Sequence, residues 1–181
     1  AACSLDQDAG SPMTAFIRSR RSETDRIEER ALTARAHIDF PARVGVWWAS
    51  DTWSMPEAQK VARDVEALGY GSLFLPETVG KEALIQSAAF LAATDRLVVG
   101  TGIANIHVRI PSAAEAGART LTALYPGRFV LGLGVSHAPL VQYGMGGVYE
   151  KPLATMRSYL EKMAAVPPQI EPGVGRPPRL L

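Results

Sequence analysis

The sequence predicts an α/β protein assembled from strand-helix units of the barrel type. Three observations carry the prediction. From Arg43 onward, short apolar runs alternate with segments of helical spacing. The runs are near-continuous in apolar residues, as in parallel strands covered on both faces. Polar or conformationally special residues gather just after those runs, where a barrel carries its chemistry.

The first strand is read at Arg43 to Ala49 and the first helix at Pro56 to Leu68, where Ala58, Val61, Ala62, Val65 and Leu68 recur on one face and Gly69 closes the end. The order repeats as Ser72 to Leu75 then Lys81 to Ala93, Leu97 to Ile103 then Ser112 to Leu124, and Arg128 to Val135 then Pro152 to Met163. Ser54, Thr94 and Ser112 stand where caps or turn residues belong, and Gly69, Gly71, Pro126 and Gly127 punctuate the helix-to-strand turns. Such units suit either an open doubly wound sheet or a closed barrel. An open sheet would place glycines after its first strand for a pyrophosphate, yet Ser50 to Ser54 contains none. Gly132 and Gly134 follow the fourth strand instead, and the third fingerprint position there is His137. Barrel units are the better reading.

An eight-unit barrel typically needs about 250 residues. The chain has 181 and offers four units, so it is expected to supply the N-terminal half of a (β/α)8 TIM barrel. Val166 to Leu181 reads as a Pro/Gly-rich connector whose last residues step into a fifth strand. Residues 1–40 read as an extension, weakly ordered or a fusion remnant, with a short solvated helix capped at Ser22; residues 41–181 read as the partial barrel. With 19 Lys+Arg against 18 Asp+Glu, no charge-dense face is expected for nucleic acid or an anionic bilayer. No apolar run approaches the length of a membrane span, and the N-terminus lacks the order of a signal peptide, so a cytoplasmic protein is expected. The lone cysteine, Cys3, reads as a free thiol, and three scattered histidines give a metal site no support.

Four segments together carry a family resemblance: Arg43 to Trp47, Gly69 to Glu77, Val99 to Asn105, and above all Tyr125-Pro-Gly-Arg-Phe-Val-Leu-Gly-Leu-Gly-Val-Ser-His137. They resemble the luciferase-like monooxygenase superfamily, in particular its F420-dependent oxidoreductases, from about Arg43 to Met163; Lys151 to Leu160 is similar to the fourth helix of that group. The resemblance implies a barrel that binds the deazaflavin coenzyme F420, or alternatively FMN, at the mouth formed by the strand ends. It implies hydride transfer with a small organic substrate, or oxygen chemistry with reduced FMN. It also implies that Gly102-Ile103 occupies the place of a cis peptide backing the tricyclic ring, that Glu77 lies near that ring, and that His137 stands where the group has its catalytic acid or base. Gly134 and Ser136, in the same turn as His137, are assigned with Gly102 and Ile103 to the coenzyme. The full-length form is expected to be a homo-oligomer.

The residues allow their own reading. Histidine, with an ordinary pKa of about 6.5, can donate or accept a proton near neutrality, which suits His137 to acid-base work. Glu77 can hydrogen-bond a ring edge or cap the following turn. Trp47 and Trp48 point to opposite faces, so one lines the mouth; Trp47 is assigned to the substrate. Asn105 can reach coenzyme polar atoms, whereas His107 and Arg109 read as solvated. Tyr143 to Gly147 reads as a lid or as a plain connection. Two classes of function remain: an oxidoreductase carried here as a partial sequence, and a non-catalytic half-barrel.

Overall fold

The computed structural model describes residues 38–167 and 178–180. The expected helix capped at Ser22 and the thiol of Cys3 lie outside the described residues, as does most of the Pro/Gly-rich connector. The elements follow the expected order. They are β1 (Gly45–Trp47), α1 (Met55–Ala67), β2 (Ser72–Leu75), α2 (Ala83–Ala93), β3 (Val98–Thr101), β4 (Ala104–Asn105), α3 (Pro111–Leu124), β5 (Phe129–Gly134), α4 (Pro152–Ala164) and β6 (Arg179–Leu180). A π-helical turn, Leu140–Gly144, lies between β5 and α4. Among the described residues no helix is long and apolar enough to cross a membrane.

Local chemistry explains most boundaries. Ser54 caps α1 in a reciprocal box with Glu57, and Gly69, at φ +85°, follows its last turn. Glu82 caps α2 by accepting the Ile85 N–H at 2.7 Å. The expected cap Ser112 is not the cap of α3: the helix opens a residue sooner at Pro111, with Ile110 as a cap that makes no side-chain bond. Proline's fixed φ and missing N–H suit the first helical position, and this decides the start. The third predicted strand, Leu97 to Ile103, is divided. A cis peptide at Gly102-Ile103 separates β3 from β4, and the two pieces pair with different stretches of β5.

All pairings are parallel, and strands adjacent in sequence are adjacent in space: β1 beside β2, β2 beside β3, the β3/β4 strand beside β5, and β5 beside β6. This order has no reversal point, so it is that of a barrel wall and not of a doubly wound sheet. β6 realises the expected step into a fifth strand, with Arg179 opposite Leu131 and Leu180 opposite Gly132.

The two faces of the wall differ. Leu73, Leu75, Val99, Phe129, Leu131 and Leu133 point outward into a core shared with Ala58 and Ala62 of α1, Phe90 and Leu91 of α2, and Ala114, Ala118 and Leu121 of α3. Alternation places Trp47, Phe74, Gly100 and Gly132 on the inner face. Helical spacing in the sequence and strand runs of both parities thus produce one packed layer and one face turned to the barrel axis.

Within the packed layer lies an ionic cluster. Glu115 of α3 is fully buried; its Oε1 meets the Arg119 guanidinium at 2.8 Å and its Oε2 meets Arg179 of β6 at 2.5 Å. Arg119 also donates to the carbonyl of Pro167 at 3.3 Å, and the Leu131 N–H donates to Pro178 O at 3.0 Å. One turn of α3 therefore holds both ends of the connector that leads into β6. Removing one member of a buried ion pair strands the other without a counter-charge, at about 3–5 kcal/mol. Glu115→Leu is expected to lower the urea-unfolding free energy by about 3 kcal/mol or more; an unchanged midpoint would show that the cluster carries no net structural constraint.

Candidate active site

The strand ends gather the candidate residues in two tiers, one buried and one open. The buried tier centres on Glu77, two residues past the end of β2. Its carboxylate forms a two-pronged pair with Arg109, with the Nη1–Oε2 contact at 2.6 Å and a close Nη2–Oε1 contact. It also accepts the backbone N–H of Asn105 at 2.7 Å and that of Ala83, the first residue of α2, at 3.2 Å. Arg109 reaches on to Glu82 at 2.5 Å and to the Asn105 carbonyl at 3.2 Å. Burial alone would lower the Arg109 pKa, but the hydrogen bonds and charges of Glu77 and Glu82 outweigh it and hold the guanidinium above its ordinary value.

This geometry selects the capping reading of Glu77 and corrects the readings of Arg109, Asn105 and His107. Both Glu77 oxygens are engaged and its side chain is only 3% exposed, so it fixes the following helix and loop and does not face a ring. Arg109, expected in solvent, is its buried partner. Asn105 has no exposed surface: Oδ1 accepts the His107 N–H at 3.0 Å and Nδ2 donates to Met145 Sδ at 3.1 Å, so its amide is not available to a coenzyme. His107 is also drawn in, with Nε2 buried and its ring 5.9 Å from that of Tyr149. The Tyr143 to Gly147 segment, read as lid or connection, is tied down through Met145 and by the Gly147 N–H to Val141 O bond of 2.8 Å.

The open tier holds Trp47, Gly102-Ile103, Gly134, Ser136 and His137. Trp47 is 62% exposed on the inner face, and its Nε1 donates to the Gly102 carbonyl at 2.7 Å, reaching across β2. Trp48 points the other way, stacked on Phe90 and edge-on to Trp53, as strand alternation requires. The cis peptide expected at Gly102-Ile103 is present. A Cβ on Gly134 would stand 2.6 Å from Ile103 Cγ1, so glycine is needed for the two strand ends to approach. Ser136 adopts the left-handed region, φ 58°, which turns the chain so that His137 is exposed; Ser136 Oγ lies 3.5 Å from His137 Nδ1. Tyr149, which the sequence did not single out, donates its hydroxyl to the Ser136 carbonyl at 3.2 Å.

These open residues fit a flat heteroaromatic ring. The Gly102-Ile103 backbone and the Trp47 indole provide apolar wall, a Cβ at Gly102 would press on Trp47 at 3.2 Å, and Ser136 and His137 supply polar edge groups. A cavity of about 700 Å³ lies between the β2–α2 segment and helices α2 and α3, lined among others by Glu77, Arg109 and Met145 of the buried tier and by Val79, Leu84 and Ile85. Trp47 and His137 do not line it.

The family model for luciferase-like monooxygenases matches residues 35–167. A protein designated a coenzyme F420-dependent oxidoreductase in Mycobacterium tuberculosis is 32% identical over 126 residues, which are 70% of this chain and 35% of that protein. Among solved structures, an F420-dependent secondary alcohol dehydrogenase in complex with an F420-acetone adduct aligns with a TM-score of 0.59 at 19% identity, covering 72% of this chain and 42% of its own. The FMN-bound oxygenating constituent of 3,6-diketocamphane monooxygenase from Pseudomonas putida aligns with a TM-score of 0.57 at 20% identity, covering 66% and 37%. The chain thus spans about a third to two fifths of the length of these proteins. At such identities the structural matches establish the fold.

The buried tier has a pH signature. Tyr159 of α4 donates its hydroxyl to the Arg109 carbonyl at 3.1 Å. Burial pushes its phenol up to about 12, with the Arg109 charge opposing and the Glu77 charge adding. The unfolded phenol ionises near 10. Between these values the unfolded state holds fewer protons, so the contribution of Tyr159 is complete below pH 10 and is lost as pH rises through 12. Urea unfolding is expected to show stability falling across that window, and falling less in Tyr159→Phe; parallel curves for the two proteins would contradict the assignment.

Proposed function

The chain belongs to the luciferase-like monooxygenase family, and on that footing we propose that it forms the N-terminal half of an oxidoreductase that exchanges hydride between F420 and a small organic substrate. The observation that carries the reading is the open tier: Trp47, the Gly102-Ile103 bulge and His137 stand at the ends of three strands of one wall, and His137, three residues past β5, is the one exposed imidazole among the described residues. F420 is favoured over FMN by the Mycobacterium tuberculosis relative and by the F420-dependent dehydrogenase. FMN is the second reading, supported by the FMN-bound neighbour of similar TM-score.

When bound, the coenzyme supplies two-electron chemistry as a hydride acceptor or donor. The chain's own residues do the rest. Gly102 and Ile103 present backbone and a branched side chain against a ring face, with Gly134 allowing the close approach behind them. Trp47 confines the substrate side of the mouth. Ser136 and the backbone of Gly134 offer polar contacts at the ring edge. His137 takes the proton that a substrate hydroxyl releases, or returns one to a carbonyl oxygen, at a ring nitrogen open to the mouth. Glu77 and Asn105 act at one remove, by fixing the segments that carry this tier. The reading extends to a barrel that begins near residue 41 and to a cytoplasmic enzyme. Exposed Val79, Ile85 and Ile110 on the outer face favour a homo-oligomer of the full-length form.

Titration of the full-length protein with F420 and, separately, with FMN tests the reading through absorbance and fluorescence. Micromolar binding of F420 is expected. His137→Ala is expected to lower kcat by about 100- to 10,000-fold while leaving the coenzyme Kd unchanged. Binding of FMN alone would favour the second reading, and binding of neither would overturn both.

A further inference from the structure

Among the described residues, Lys81 is the one ammonium held by three backbone carbonyls. Its Nζ donates to Ser50 O at 2.5 Å, Asp51 O at 3.0 Å and Trp53 O at 2.9 Å. An ammonium has three N–H donors, and here each has a carbonyl. The three acceptors belong to one segment, residues 48–54, which continues directly from Trp47 at the end of β1. Other contacts converge on the same segment from the same side. Thr78 Oγ1 bonds Asp51 Oδ1, Gln86 Nε2 bonds the buried Ser50 hydroxyl, and a Cβ on Gly80 would stand 2.6 Å from Asp51 Oδ1. Within the segment the Trp53 N–H closes a turn onto Ser50 O at 3.0 Å, and the Trp53 ring rests edge-on against Trp48.

We propose that Lys81 is a positioning residue: by gathering three carbonyls of the β1–α1 segment it fixes that segment as a rigid wall beside Trp47, so that the substrate side of the mouth is shaped in advance and does not close over its ligand. The chemistry supports this division of labour. A charge-assisted bond to a carbonyl is about twice as strong as a neutral one, and carbonyls converging on one point repel one another unless a cation stands between them. Removing the ammonium therefore leaves a segment whose acceptors must turn toward water, which opens the turn and frees Trp53. The role in substrate positioning rests on the function proposed above; the fixing of the segment does not.

The test compares the full-length protein with Lys81→Ala by amide hydrogen exchange and steady-state kinetics. Protection of the Trp53 amide is expected to fall at least about tenfold, the scale of lost charge-assisted bonds. The Val99 amide, which donates to Arg128 O at 2.8 Å within the sheet, is expected to keep its protection. Propylammonium replaces the removed atoms and is expected to restore Trp53 protection; propyltrimethylammonium, with the charge but no N–H, is not. In turnover, KM for the organic substrate is expected to rise about tenfold with kcat nearly kept, and propylammonium is expected to bring KM back. Wild-type protection at Trp53 would overturn the proposal, as would equal loss at Val99, since Lys81 would then support the whole sheet. Normal KM with a freed Trp53 would overturn the positioning role. Absence of turnover in the unaltered protein would count against the proposed function alone, because amide exchange reads the fixed wall without it.

Discussion

The buried pair of Glu77 and Arg109 is the constraint around which the strand ends are arranged. Withdrawing two charges from water costs several kcal/mol per ion unless geometry and extra hydrogen bonds compensate. Here compensation is close to complete: the carboxylate takes two guanidinium nitrogens and two backbone N–H groups, one of them at the start of α2, where the helix dipole also favours negative charge. Those donors come from three places in the chain, Ala83, Asn105 and Arg109. Satisfying one carboxylate therefore fixes β4, the start of α2 and the segment before α3 in a single geometry. Asn105, held by its own N–H, then holds Met145 and so the segment after β5. Rigidity at the mouth is transmitted from this point outward.

The open tier is the complement of that arrangement. Trp47, Ser136 and His137 keep surface because the buried residues behind them leave no slack to draw them inward. His137 in particular is displayed by a left-handed serine whose carbonyl is occupied by Tyr149. Groups that touch a ligand need a fixed backbone and a free side chain, whereas groups that fix the backbone have no side-chain capacity left for a ligand.

This division explains what was legible in the sequence. The strand-helix beat was readable because burial on both faces writes apolar runs into strands and 3.6-residue spacing into helices, and the cap at Ser54 is local. The division of the third strand left no mark in periodicity or composition, and Gly102-Ile103 entered only through the family resemblance. Ser112 was misread because proline one residue earlier competes for the start of the same helix. At the site, the glycine-rich turn ending in His137 signals itself through local residue types. Glu77 looked like chemistry because an acid at a strand end does; its partner lies 32 residues away, and no spacing links Glu77 to Arg109 or Lys81 to the carbonyls of residues 50, 51 and 53.

A second buried carboxylate obeys the same logic with a different result. Parallel pairing of Arg179 with Leu131 puts the arginine on the outer, helix-facing side of β6, in a layer otherwise built from Leu, Val and Phe. Glu115 makes that position tolerable. A slip of one residue would exchange the faces, turning the guanidinium toward the barrel axis and Leu180 toward Glu115, and would leave the buried carboxylate short of a cation. The cluster therefore selects register more than it adds stability. Register is what a barrel wall must pass from one strand to the next, because a shift at β6 would displace every strand end that follows and with it any group meant to meet His137 across the mouth.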